Sequence, residues 1–281
     1  MNPLDHHDCS GCGLCLLVCP VWRDTRDVRL TPKGRARAIQ HGATADELAA
    51  SVAGCTLCGA CEPACPEELP LVDMVMQLRG DTNYVAMGED FSSFKKILVG
   101  GRSLPAKDGL LAKILHSLPG FDLAADDGAD IAAALESGGA IKPARLESFL
   151  VPLSRARRLV VADGLLLRAL RRWLPGIKSK GLGEALLPAV SAKLRAGDFY
   201  VIDSRSFNQD QSRLVGRYDA LRAASGCQMN LDLQRIAMPA AGQARWILEG
   251  REVERIVVED LGERAAFAFA GKPVLHLAEL A

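Results

Sequence analysis

The chain reads as an α+β multidomain protein. An all-α unit over residues 1–80 and an α/β unit with a mainly parallel sheet over 151–281 are joined by a connecting arm at 81–150. Three observations predict this. Two cysteine runs of identical spacing, Cys9, Cys12, Cys15, Cys19-Pro20 and Cys55, Cys58, Cys61, Cys65-Pro66, define the first unit. The residues around them carry helix start and stop signals. Beyond Arg145, short apolar runs alternate with helical stretches, the pattern of an α/β layer.

Each cysteine run has the form C-x2-C-x2-C-x3-C-P, the ligand spacing of a [4Fe-4S] cluster, so its repetition predicts two such clusters. Three thiolates two residues apart wrap one corner of a cube, while the fourth reaches outward. In two-cluster ferredoxins that fourth cysteine ligates the other cube. This assigns Cys9, Cys12, Cys15 and Cys65 to one cluster and Cys55, Cys58, Cys61 and Cys19 to the other. Pro20 and Pro66, with fixed φ and no N–H, turn the chain away from the cluster. Zinc is the competing reading, because CxxC pairs also build all-thiolate zinc sites. Zinc chemistry gives no reason, however, for a third cysteine two residues on and a fourth before proline.

Between the runs, Thr31-Pro32 places a cap before a first-turn proline, so a helix is expected from Lys33 to His41, stopped by Gly42. A second helical stretch, Asp46 to Val52, leads into the next run. After Pro66, Leu71, Val72, Val75, Met76 and Leu78 mark a helical face that ends at Gly80. In the arm, short helices are expected at Phe91 to Leu98 and Leu110 to Leu118, with a linker and a partner-docking role both open. The second unit is expected to contain buried parallel strands at Arg158–Asp163, Phe199–Asp203, Arg255–Glu259 and Pro273–Leu277. Helices at Leu165–Trp173, Glu184–Arg195, Ser212–Ala224 and Ala241–Glu249 separate them. Gly181-Leu-Gly183 follows a further strand candidate at Ile177 to Lys180 and opens a helix, without the third glycine of a nucleotide turn. Asp163, Asp203, Glu259 and Asp260 sit at strand ends, where helix capping is the expected role and a polar site the alternative.

Thirty-four basic residues balance thirty-four acidic ones, so overall charge argues for neither nucleic acid nor an anionic membrane. Thiolate-bound clusters add negative charge, so basic residues near them are expected. Arg23, Arg26, Arg29, Lys33, Arg35 and Arg37 lie between the runs and either serve that purpose or solvate a helix face. Arg155, Arg157, Arg158, Arg168, Arg171 and Arg172 form the densest basic group and are read as a solvated helix face; no interleaved aromatics suit nucleic acid. Cys227 is expected as a small buried apolar side chain, and His41, His116 and His276 as structural histidines. His6 and His7, so near the chain start, are expected to be solvated. No apolar run has the roughly 18 residues of a membrane span, and Met1 to Asp8 is polar, so the expectation is a cytoplasmic protein.

The first 80 residues resemble the α-helical dicluster ferredoxin domain of heterodisulfide reductase C-type subunits and of the iron-sulfur subunits of glycolate oxidase and anaerobic glycerol-3-phosphate dehydrogenase. The resemblance rests on both cysteine runs, on Leu30-Thr-Pro-Lys-Gly-Arg35, and on Gly54-Cys-Thr-Leu-Cys-Gly-Ala-Cys-Glu-Pro-Ala-Cys-Pro66. In those relatives, cysteine-rich repeats on an α/β scaffold follow and hold a further iron-sulfur centre. Tyr200-Val-Ile-Asp203, Tyr218-Asp-Ala-Leu221 and Gly271-Lys-Pro-Val-Leu-His-Leu277 resemble that scaffold more weakly, and Cys227 is the only cysteine left to it. The resemblance thus implies a degenerate cysteine-rich-repeat domain that docks partners. It also implies an electron-relay subunit of a multisubunit oxidoreductase, passing single electrons between a flavoprotein dehydrogenase or electron-transfer flavoprotein-like partner and a downstream acceptor. No nucleophile, base and orienter stand at readable spacing in the second unit, so the chain alone is expected not to turn over an organic substrate. The alternatives are an iron-sulfur redox sensor and purely structural clusters.

Overall fold

The computed structural model describes residues 8–80, 95–104 and 109–281; His6 and His7 lie outside them. Residues 8–80 contain the helices α1 (Leu14–Leu17), α2 (Pro20–Thr25), α3 (Pro32–Gln40), α4 (Ala49–Ala53) and α5 (Leu71–Arg79), and no strand among the described residues. Pro20 and Pro32 both open helices, whereas Pro66 sits in a turn after Cys65. Pro20 follows Cys19 at the head of α2, where its missing N–H leaves no bond unmade. Pro32 opens α3 behind Thr31, whose Oγ1 accepts the Gly34 N–H at 3.2 Å. Of the apolar face predicted for α5, Leu71, Val72, Val75 and Met76 are buried, joined by Met74, while Leu78 is partly buried.

The remainder folds as β1 (Lys96–Val99), α6 (Leu110–Ser117), β2 (Phe121–Leu123), α7 (Ala129–Ser137), α8 (Pro143–Ser154), β3 (Arg158–Val161), α9 (Gly164–Trp173), β4 (Lys178–Gly181) and α10 (Leu182–Val190). It continues with β5 (Asp198–Val201), α11 (Ser204–Phe207), α12 (Gln211–Ser225), β6 (Gln228–Met229), α13 (Ala244–Leu248), β7 (Arg255–Val258) and β8 (Val274–His276). Mixed helix and sheet is thus observed, but the strands form two parallel four-stranded sheets, ordered β2-β1-β3-β4 and β6-β5-β7-β8. The strand order is the same in both, so one α/β topology occurs twice in tandem.

The helix expected at Phe91 to Leu98 is corrected in its described part: Lys96–Val99 is strand β1, with Ile97, Leu98 and Val99 in register with Leu159, Val160 and Val161 of β3. The three-residue apolar run Ile97–Val99, buried on both faces, has no period to separate strand from helix. Segment 81–150, expected as a connecting arm, supplies β1 and β2 to the first sheet. The helix expected at Leu110 forms, as do those at Leu165–Trp173 and Ser212–Ala224, each within about two residues of its expected ends.

The helical first unit shares its core with both sheets. Cys15, Val52 and the buried face of α5 pack in one apolar cluster with Val99, Leu159, Val161 and the leucines of α9. Val18, Cys58 and Ala60 pack in another with Tyr200, Ile202 and Phe207. A crossing of backbones locks the seam: a side chain at Gly80 would come within 2.2 Å of the Gly138 carbonyl, and Gly138 itself has φ 78. Among the described residues, no helix is long and apolar enough to cross a membrane.

Candidate iron-sulfur site

The two cysteine loops repeat one backbone conformation. Gly11 (φ 75) and Gly13 (φ 85) flank Cys12, and Leu57 (φ 54) and Gly59 (φ 78) flank Cys58 at the same offsets. Positive-φ residues on both sides of each central cysteine bend the backbone into a concavity suited to anionic groups such as thiolate-bound clusters. Leu57 adopts this conformation without glycine's freedom, at a cost of order 1 kcal/mol. Its side chain, 1% exposed, packs in the core and offsets that cost.

Cys9, Cys12, Cys15 and Cys65 line one cavity together with Lys33, Ala36 and Leu71. The fold therefore carries the last cysteine of the second run to the first three of the first run. Cys15 is pushed up to about 11, chiefly by burial and next by the charge of Cys65, with Cys12 and Cys9 adding to it, while the Lys33 N–H bonded to its sulfur works the other way. Burial likewise pushes Cys58 up to about 11, and Cys55 and Cys19 oppose its ionisation. Cys61 is raised by burial, by Glu62, and by Cys58, Cys55 and Cys19. For Cys19, burial dominates, the N–H groups of Trp22 and Val21 offset it, and Cys55 adds to it. The electrostatic neighbours thus sort into two quartets, each with three cysteines from one run and one from the other.

Buried thiols that oppose one another's ionisation do not hold thiolates unaided; bound iron supplies the positive charge that deprotonates them. The donor set fits: all sulfur, four to a site, with backbone N–H groups from Lys33, Trp22, Val21 and Ala60 directed at the sulfurs. Among the described residues, no three His, Cys, Asp or Glu side chains converge as single-ion ligands. Paired all-thiolate quartets within 65 residues of helical chain define a dicluster ferredoxin, a class of iron-sulfur electron carriers. Residues 5–69 match a family model described as a 4Fe-4S dicluster domain, and the protein carries two [4Fe-4S] clusters. No curated protein and no solved structure matches the chain.

The α/β part grips the second loop by its carbonyls. Asn208 donates to the Cys58 carbonyl at 2.9 Å, and Arg205 donates to that of Thr56 at 2.9 Å and to Glu136 Oε1 at 2.6 Å. Arg79 donates to the carbonyls of Val52 and Cys55, and to that of Glu136 in α7. In the first loop, Gln40 donates to the Cys9 carbonyl, and Gln243 donates to that of Pro20 at 3.0 Å. Sequence reading missed these residues because side chain to backbone anchoring leaves no spacing signal. The basic group around α9 is corrected. Arg168 is 14% exposed and bonds Glu62 at 2.7 and 2.8 Å and Asp73 at 2.7 Å; Arg172 joins Asp73, and Arg171 pairs with Asp210. Arg168 and Arg172 fasten the helical unit to the sheets, whereas Arg171 ties α9 to Asp210 within the α/β part. Between the runs, Arg35 is buried and bonds Leu30 and Ser51. Lys33 and Arg37 border Gly13 and Gly11 in the first loop.

The strand-end carboxylates divide as the capping expectation predicts, with one exception. Asp163 accepts the N–H groups of Leu165 and Leu166, Asp203 those of Arg205 and Ser206, and Asp260 that of Gly262. Glu259 instead accepts the Tyr200 and Tyr218 hydroxyls at 2.8 and 2.6 Å and the Asp203 N–H at 2.9 Å. Its carboxylate fills the space that a side chain at Gly183 would need, which explains that glycine. Cys227 and His276 are buried, as expected, and His276 caps the closing turn.

Burial pushes Glu259 up to about 7, ahead of the three donors that oppose the rise and the charge of Asp203 that assists it. An acid with a raised folded pKa binds its proton more tightly folded than unfolded, so its contribution falls as pH rises from about 4.5 to about 7. Denaturation of the holoprotein between pH 5 and pH 8 is expected to show stability declining by about 3 kcal/mol from this group. In Glu259→Gln that pH-linked decline is expected to disappear, whatever the variant's absolute stability.

Proposed function

We propose that the protein is an iron-sulfur electron-transfer subunit of a cytoplasmic multisubunit oxidoreductase of the heterodisulfide reductase C-subunit or glycolate oxidase iron-sulfur subunit kind. It relays single electrons between a flavin-containing partner and a downstream acceptor. Cys9, Cys12, Cys15 and Cys65 hold one cluster and Cys55, Cys58, Cys61 and Cys19 the other. Each cluster, when bound, takes up and releases one electron. The chain's own residues fix the distance between the two sites, exclude water from Cys15, Cys19 and Cys58, and set the local charge through Arg79 and Arg205. Residues 1–80 form the dicluster unit, and the α/β part, a degenerate cysteine-rich-repeat scaffold, holds it and docks partners.

The observation that carries this reading is the cavity shared by Cys65 with Cys9, Cys12 and Cys15, because exchanged ligands place two clusters side by side as a short wire. Cys12 is exposed, and Leu14 and Leu17 beside it are 46% and 63% exposed, so the first site has the surface that a redox partner can reach. Anaerobic holoprotein is expected to take up about two electrons per chain in a reductive titration, to accept them from a reduced flavoprotein, and to oxidise no organic substrate alone with a dye acceptor. Substrate oxidation by the isolated chain would replace the relay reading with an enzyme.

A further inference from the structure

A cleft of about 570 Å3 opens where α2 meets α13 and the turn at residues 261–270. That is within the roughly 300–1,000 Å3 of small-molecule sites. Arg23, Arg26 and Arg245 line it against one acidic residue, Asp24. Among the described residues none of the three arginines forms an ion pair with a carboxylate, whereas Arg168, Arg171 and Arg213 are all neutralised. Its aromatic wall is Trp246, covered by the Arg23 guanidinium at 3.4 Å, and Phe269, which is 40% exposed with Arg245 at 4.8 Å from its ring. Guanidinium groups left without carboxylates present forked donors that match phosphate oxygens, and a flat cation stacked on indole continues the aromatic surface.

We propose that this cleft binds a phosphate-bearing ligand with a flat aromatic ring, a flavin or adenine nucleotide. Arg23, Arg26 and Arg245 take the phosphate, and Phe269 with the Arg23–Trp246 stack takes the ring. Its position adds a consequence. Arg23 lies one turn of α2 beyond Cys19, and Gln243 in the cleft wall bonds the Pro20 carbonyl at 3.0 Å, so the ligand sits beside the second quartet. The cleft is assembled from both units, and its occupant holds them together.

Isothermal titration of anaerobic holoprotein with flavin mononucleotide, ADP, riboflavin and inorganic phosphate tests the site without reference to electron transfer. At least one nucleotide is expected to bind at least tenfold more tightly than both riboflavin and inorganic phosphate, about 1.4 kcal/mol or more. Preference for flavin mononucleotide or for ADP identifies the ring. Arg245→Ala is expected to weaken nucleotide binding at least tenfold, and Phe269→Ala to weaken nucleotides but not phosphate. Both side chains are exposed, and unchanged cluster absorbance and circular dichroism confirm folding of the variants. The proposal is overturned if neither nucleotide binds more tightly than phosphate, if Arg245→Ala leaves nucleotide binding unchanged, or if only an acidic peptide binds the cleft.

Discussion

Exchanging Cys65 for alanine is expected to remove about four of roughly eight irons per chain, and those lost belong to the first cysteine run. Cys65 lies in the second run, so linear reading of the motif would empty the site of Cys55, Cys58 and Cys61 instead. The geometry points the other way: Cys65 lines the cavity of Cys9, Cys12 and Cys15, and its charge is the largest opposing the ionisation of Cys15 after burial. Cys19→Ala is the mirror experiment, since Cys19 is the electrostatic neighbour of Cys55, Cys58 and Cys61. Iron and sulfide analysis with electron paramagnetic resonance of the reduced protein separates the cases. Each variant should retain one cluster and lose the spin coupling of a close pair. Survival of the first-run cluster in Cys65→Ala would refute the crossing.

The cysteine spacing, the Thr31-Pro32 cap and the period of α5 were legible because each is a local rule that tertiary contacts here reinforce. The apolar strands β3, β5, β7 and β8 were legible for the same reason. The duplicated sheet was hidden by β1, whose apolar run reads equally as helix, and by its weak edge strands. β4, Lys178-Ser-Lys-Gly181, has no apolar residue and shows only as a strand candidate, and β2, Phe121-Asp-Leu123, is three residues with the last two exposed. Such strands form because β1 and β3 offer paired edges, which no window of sequence contains. The site's second layer was hidden differently. Arg79, Arg205 and Asn208 act on carbonyls 24 to 150 residues away, and those of Arg205 and Asn208 are reached only once the units are joined. The arginines of α9 misled because a helix of this composition reads as solvated until its carboxylate partners Glu62 and Asp73 arrive from the other unit.

Replacing Arg168 by methionine is therefore expected to have the largest effect on stability of any change remote from the cysteines, about 3–5 kcal/mol. The methionine keeps the apolar stem but leaves Glu62, 16% exposed, without its cation and Asp73, 13% exposed, with Arg172 alone. Arg168→Lys should recover little, because one ammonium cannot supply the fork that bonds both Glu62 oxygens while Nε holds Asp73. Combining Arg168→Met with Glu62→Gln and Asp73→Asn should recover much of the loss, since no uncompensated charge remains buried. The pH dependence has a definite sign. Burial alone would raise Asp73, but the Arg168 hydrogen bond and the charges of Arg168 and Arg172 outweigh it and hold its carboxyl below the usual range. The contribution is thus full above the ordinary aspartate pKa of about 4 and lost as pH falls through the lower folded value. Wild-type stability should drop across that acid window, and in Arg168→Met the Asp73 part of the drop should shrink, since only Arg172 still opposes burial there. Glu62 also bonds the Val72 N–H at the head of α5 and follows Cys61 directly, so its unmatched charge acts on the second quartet. An added negative charge there disfavours electron uptake, and the potential of that cluster should fall while that of the other shifts less.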